Sequence, residues 1–163
     1  MPTRFVTVLT LCGLVFGSTG CRARGVEFDL KDRSGKVWSV GRGGEVWVVH
    51  FWASWCAPCV EEVPEWVRWR PPSGVRKIAI SVDESWADAN RIWPKSAHLG
   101  EVLVLDIGGT VAKDHFGSFE YPESYLIREG QDGAVVLHKW VGPVRWESPI
   151  LKREIEEAIA RVR

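Results

Sequence analysis

The feature that most restricts the fold of this chain is an apolar run that ends in a pair of cysteines. Residues 45–53 (EVWVVHFWA) are dense in β-branched and aromatic side chains, the composition of a strand buried on both faces. After Ser54 come Trp55, Cys56, Ala57, Pro58 and Cys59, and from Cys56 to about residue 69 the pattern is helical, with Pro64 inside as an expected kink. Such a junction delivers Cys56 to the first turn of a helix. Unpaired backbone N–H groups and the helix dipole stabilise a thiolate there, and this placement lowers a cysteine pKa from about 8.5 towards 7 or below. Two intervening residues let both sulfurs meet on one turn, so Cys59 can attack a mixed disulfide formed by Cys56. Pro58 suits an early helical position, where a missing N–H leaves nothing unpaired.

The other cysteines support a redox reading of this pair. There are four in 163 residues: Cys12, Cys21, Cys56 and Cys59. Residues 5–17 (FVTVLTLCGLVFG) form an uncharged apolar run preceded by Arg4 and followed by small residues, the layout of a secretory signal over residues 1–20. The run is short for a transmembrane helix, which needs about 20 apolar residues. Thr19-Gly20-Cys21 resembles the end of a bacterial lipobox, with Ser18 where that signal usually carries Leu, so Cys21 is the expected lipid acceptor. An uncleaved anchor and a simple signal peptide are the alternatives. Cys12 is lost with the signal, residues 21–25 form a linker, and the mature domain keeps one CxxC pair. A four-cysteine zinc site is excluded by count, and a structural disulfide framework would use more cysteines at longer spacings.

One domain of ordinary size fits the length. Lys plus Arg and Asp plus Glu number 21 each, so no global field attracts nucleic acid. Residues 26–40 alternate around Asp32-Arg33-Ser34-Gly35 and predict a β-hairpin. Strands are expected at 75–82 and 101–106, and helices at 83–97 and 110–116. A second hairpin is expected over 125–127 and 134–141 around the turn at 129–133. The closing helix spans 148–163, with Ile150, Leu151, Ile155, Ile159 and Val162 on one face. This order predicts an α/β fold, a mixed central sheet flanked by helices, with an N-terminal β-hairpin extension.

The run HFWASWCAPCVEEVP, residues 50–64, resembles the thioredoxin superfamily, and most closely its TlpA/ResA-like bacterial extracytoplasmic thiol–disulfide oxidoreductases. The resemblance covers residues 26–163 and implies a thioredoxin fold. Residues 55–59 fit the family's WCxPC, and Pro64 falls where its active-site helix is kinked. Residues 120–127 (EYPESYLI) resemble the segment holding the family's cis-proline, which makes Pro122 the expected cis residue and sets Tyr121 backbone groups opposite the cysteines. X–Pro bonds are cis in only about 5–6% of cases, so the cis assignment is the resemblance's alone.

Two further residues carry paired readings. Glu62 lies three residues after Cys59, close to one helical turn on. The resemblance implies a carboxylate that influences cysteine ionisation, while the bland alternative is a solvated glutamate like Glu61. His50 stands where thioredoxin has a buried aspartate and TlpA-type members often carry asparagine. It is either a proton relay to Cys59 or a hydrogen-bonded core histidine. His98, His115 and His138 are expected to be structural or surface residues. Of the ten tryptophans, Trp55 is expected to cover the active-site surface and Trp52 to pack beneath it.

These expectations converge on an enzyme that reduces disulfides of exported proteins. Ala57-Pro58 contains no cation to over-stabilise the Cys56 thiolate, which places the couple at about −270 to −200 mV rather than near −120 mV. The resemblance implies reductants that often serve cytochrome c maturation by reducing CxxCH cysteines, re-reduced by a membrane thiol transporter of DsbD or CcdA type. No nucleotide-cofactor fingerprint appears, so the expected redox group is the Cys56–Cys59 disulfide itself. The expected location is extracytoplasmic, at the membrane through the lipid. A disulfide-forming oxidase is the main alternative. A copper(I) carrier is a weaker one, since Sco-type proteins space their cysteines by three residues. A peroxiredoxin-type peroxidase would need Thr or Ser at position 53, where the chain has Ala.

Overall fold

The computed structural model describes residues 25–93 and 102–162. Residues 1–24, on which the expected signal and most of the expected linker fall, with Cys12 and Cys21, lie outside them, as do residues 94–101 with His98. The order of elements is β1 (Phe28–Lys31), β2 (Val37–Val40), β3 (Val46–Trp52), α1 (Ala57–Arg68), β4 (Val75–Ser81) and α2 (Trp86–Ile92). Then follow β5 (Leu103–Leu105), a 3-10 turn at Ile107–Gly109, α3 (Thr110–Phe116), β6 (Glu123–Arg128), β7 (Val135–Val141) and α4 (Pro149–Ala160).

The five-stranded sheet runs β5-β4-β3-β6-β7. β3 pairs in parallel with β4 and antiparallel with β6, so the strand leading to the cysteines is central. Its residues from Trp47 to Trp52 are all buried, which is why its sequence shows no polar alternation. Successive side chains of β3 face opposite layers. His50 stacks on Trp66 of α1, whereas Phe51 packs edge-on against Phe116 of α3, so α1 and α3 cover opposite faces. The mixed sheet with helices on both faces is the architecture the sequence predicts.

β1 and β2 form a separate antiparallel pair, closed by Asp32, whose carboxylate accepts from Ser34 and Lys36 amides and from Trp38 Nε1. The pair is anchored through an isolated bridge from Asp32 to Val104 of β5, and by Phe28, whose ring meets Phe116 at 5.9 Å.

Two helices differ from expectation. α2 begins at Trp86 because Ser85 caps it, accepting from the Asp88 amide at 3.2 Å. Asp83, expected inside that helix, is instead bonded to Ser54 and Ser81. In α4 the buried residues are Leu151, Ile155 and Ala158, an i, i+4, i+7 stripe, while Ile150 and Val162 are 57% and 48% exposed. Ile150 sits 100° around the helix from Leu151, and Val162 lies beyond the helix end.

Candidate active site

β3 ends at Trp52, and three buried or turn residues carry the chain to Cys56, the N-cap of α1. The turn is held from below by Asp83. Its carboxylate accepts from Ser54 N at 3.1 Å and Ser54 Oγ at 2.8 Å, and also from Ser81 Oγ at 2.7 Å. Cys56 and Cys59 are joined by a disulfide, with Cα atoms 5.2 Å apart. Cys56 Sγ accepts from the Cys59 amide at 3.3 Å, so the sulfur fills the place an oxygen takes in an ordinary N-cap. Pro58 falls in the first turn. α1 runs on through Pro64 to Arg68, and the Lys77 amine closes its end by donating to Trp66 O at 2.6 Å and Trp69 O at 2.8 Å.

The two sulfurs differ in access: Cys56 is 7% exposed and Cys59 0%. Trp55 is 68% exposed beside Cys56, and Trp52 is fully buried. Cys56 Sγ lies 3.4 Å from the carbonyl oxygen of Tyr121, where a reduced thiol would donate. The Tyr121–Pro122 peptide bond is cis. The Tyr121 ring stands edge-on to Trp55, with centroids 5.9 Å apart, and its hydroxyl rests against Gly109. Burial, with the Asp106 and Glu123 charges, pushes the Tyr121 phenol up, so it stays protonated.

His50 and Glu62 meet in one aromatic cluster under α1. His50 is fully buried, its Nδ1 bonded to Ser124 Oγ at 2.9 Å, and Trp66 and Trp146 enclose its ring. Burial pushes its pKa down to about 3, so the imidazole is neutral. Glu62 is buried too. Its Oε1 accepts from the Val144 amide at 3.1 Å and from Trp146 Nε1. Burial pushes its pKa up to about 7, against these two hydrogen bonds, which favour the charged form. It is therefore unlike Glu61, which is exposed. His115 is exposed beside Phe28, and His138 is half-buried beside Trp140. Sequence reasoning missed Ser124, Val144, Trp146 and Asp83. Asp83 was visible as a polar residue closing a core strand; nothing local marks the other three.

Among the described residues no group of three or more His, Cys, Asp or Glu side chains is arranged to hold a metal ion. A cysteine sulfur at a helix N-cap, a fully buried partner one turn on and a cis-proline facing them define a thioredoxin-fold thiol–disulfide oxidoreductase. The chain is 28% identical over 135 residues to sporulation thiol-disulfide oxidoreductase A of Bacillus subtilis, covering 80% of this chain and 78% of that one. It is also 28% identical over 134 residues to the thiol:disulfide interchange protein DsbE of Allochromatium vinosum, covering 82% and 70%. The crystal structure of StoA from Bacillus subtilis superposes with a TM-score of 0.62 and 25% identity, over 78% of this chain and 94% of that one. No family model matches the chain. The relatives that the chain matches are thiol–disulfide oxidoreductases, and it shares the thioredoxin fold with the solved ones.

Proposed function

We propose that the chain reduces disulfides of exported proteins, with Cys56 as nucleophile and Cys59 as resolving cysteine. The observation that carries this is the inequality of the two cysteines: Cys56, at the helix N-cap, keeps 7% exposure, while Cys59 behind it keeps none. The Cys56 thiolate attacks a substrate disulfide, forming a Cys56–substrate bond and releasing the substrate's other sulfur as a thiolate. Cys59, once deprotonated, attacks Cys56 Sγ and expels the second substrate thiolate. Two electrons pass to the substrate, and the site ends as the Cys56–Cys59 disulfide.

The reducing direction follows from the charges around the pair. Ala57-Pro58 supplies no cation, and the ionisable group one turn beyond Cys59 is the acid Glu62, which disfavours a neighbouring thiolate when charged. Glu62 therefore tunes the cysteines. His50, neutral and enclosed, serves as a hydrogen-bonded support rather than a relay. Trp55, Tyr121 and cis-Pro122 frame the Cys56 sulfur, and Pro58 starts the helix. The family resemblance extends the substrates to CxxCH cysteines in cytochrome c maturation, with a membrane thiol reductant of DsbD or CcdA type restoring the dithiol.

Residues 1–20 act as an export signal, Cys21 as lipid acceptor and residues 21–25 as the linker to the domain at 26–163, on the extracytoplasmic side of a membrane. Among the described residues, which begin at Gly25, no helix is long and apolar enough to cross a membrane. Labelling with a fatty acid should mark the wild type and not Cys21→Ser; equal labelling removes the anchor.

The deciding measurement is the equilibrium of the Cys56–Cys59 pair with glutathione. A potential of about −270 to −200 mV is expected, and a value near −120 mV would reassign the protein as an oxidase. Cys59→Ser should accumulate mixed disulfides with exported proteins, and Cys56→Ser none.

A further inference from the structure

The segment from Gly142 to Trp146 touches the site at two points. The Gly142 amide donates to the carbonyl of cis-Pro122 at 2.9 Å, and the Val144 amide and Trp146 indole N–H both donate to Glu62 Oε1. Trp146 itself is 1% exposed and held among Trp66, Trp69 and His50, with ring centroids at 4.6, 4.8 and 5.4 Å. Its N–H is therefore aimed by packing, at a carboxylate on a different element.

We propose that Trp146 is a positioning residue for Glu62: its indole N–H fixes one carboxylate oxygen under the active-site helix. The inference rests on the reading of Glu62 as the group that tunes the cysteines.

Both donors go to Oε1, and Oε2 has no hydrogen-bond partner among the described residues. This division lets the carboxyl exist in either state. Ionised, it keeps two N–H donors on Oε1; protonated, it carries the proton on Oε2 without breaking either bond. A carboxyl with no donors at this depth would hold its proton well into the alkaline range, and the two N–H groups offset part of that burial. The charged group acting on Glu62 from its own helix is Glu65, which raises its proton affinity and whose Oε1 is itself engaged by the Glu147 amide at 2.8 Å. From β3 the cluster presents His50, which is neutral. From β4 it presents the Lys77 amine, 5.2 Å from the Trp66 ring centroid. Arg145 and Glu147 flank Trp146 on the loop, and the Cys56 and Cys59 thiols join these groups when the pair is reduced.

The test is the titration of the Glu62 carboxyl, followed by carbon-13 NMR of its side-chain carbon in the oxidised protein, where no thiol titrates. Trp146→Phe keeps an aromatic ring but removes the donor. Replacing Trp146 by 3-benzothienylalanine removes the donor without changing the shape, and serves if the phenylalanine variant does not fold. Trp69→Phe loosens the same cluster without touching the Glu62 bond. Loss of a hydrogen bond to a charged group should move the midpoint up by about one pH unit, tenfold in proton affinity, in either Trp146 variant. Trp69→Phe should leave it near 7. An unmoved midpoint in the Trp146 variants, or an equal move in Trp69→Phe, overturns the positioning role. Glu62→Gln separates this outcome from the underlying reading. If that variant keeps the wild-type pH profile of thiol exchange, Glu62 does not tune the cysteines, whatever holds its carboxylate.

Discussion

His50 and Glu62 are enclosed by the same indoles, yet burial acts on them with opposite signs, because one is charged when protonated and the other when deprotonated. His50 has a folded pKa near 3 against 6.5 when free. Its contribution is present above about pH 6.5 and is lost as the pH falls towards 3, since the unfolded chain takes the proton first. Glu62 has a folded pKa near 7 against 4.5. Its contribution is present below about 4.5 and is lost as the pH rises through 7. Urea unfolding of the oxidised protein across pH should therefore show His50→Asn flattening the acid limb and Glu62→Gln flattening the neutral limb. Exchange of the two effects between the variants would contradict the assignment. For catalysis, His50→Asn should leave the pH profile of thiol exchange unchanged; a displaced profile would restore the relay. The spacing from Cys59 puts Glu62, and not Glu61, on the buried face with Val63 and Trp66. Its hydrogen-bond partners, Val144 and Trp146, lie over eighty residues away and were not legible locally.

At the scale of elements, the active-site strand depends on a carboxylate at the opposite end of the sheet. Glu129, just beyond β6, accepts from the amides of Gly41 and Gly43 at 2.7 Å each, from Glu45 N at 2.9 Å and from Trp47 Nε1 at 3.0 Å. Four donors on one buried carboxylate fasten the turn before β3 to the β6–β7 hairpin. Burial would raise its pKa, but the amides of Glu45, Gly41 and Gly43 outweigh it and hold the group below its usual value. Glu129→Gln turns one acceptor into a donor facing amides, and should lower unfolding free energy by about 2 kcal/mol. Gly43→Ala should destabilise through the same contact, because its Cβ would lie 2.8 Å from Glu129 Oε2. Chemical denaturation checks both, and unchanged midpoints would show the turn to be held by other means. The turn at 129–133 was legible from its glycines, but nothing there marked Glu129. Its role exists only once three amides of a distant turn converge on it.

Across the whole molecule, the N-terminal hairpin is part of the core rather than an appendage. Phe28 and Val40 are buried in the same cluster as Phe51 and Tyr125. Deletion of residues 1–24 should leave the domain folded. Deletion through residue 40 should expose the Phe51–Phe116 face and lower the thermal midpoint by 10 °C or more, on the order of two buried side chains at about 2 kcal/mol each. Equal midpoints in the two truncations would refute this, and calorimetry measures them. The sequence alone determined the strand order along the chain, the helix that starts at Cys56 and the redox pair, because periodicity and an i, i+3 spacing are local properties. Tertiary structure alone decided which groups surround that pair. Asp83 under the turn, Ser124 on His50, and Val144 and Trp146 on Glu62 arrive from strands and loops remote in the chain. Proton affinity in a buried site is set by those neighbours and by desolvation, neither of which has a signature in consecutive residues.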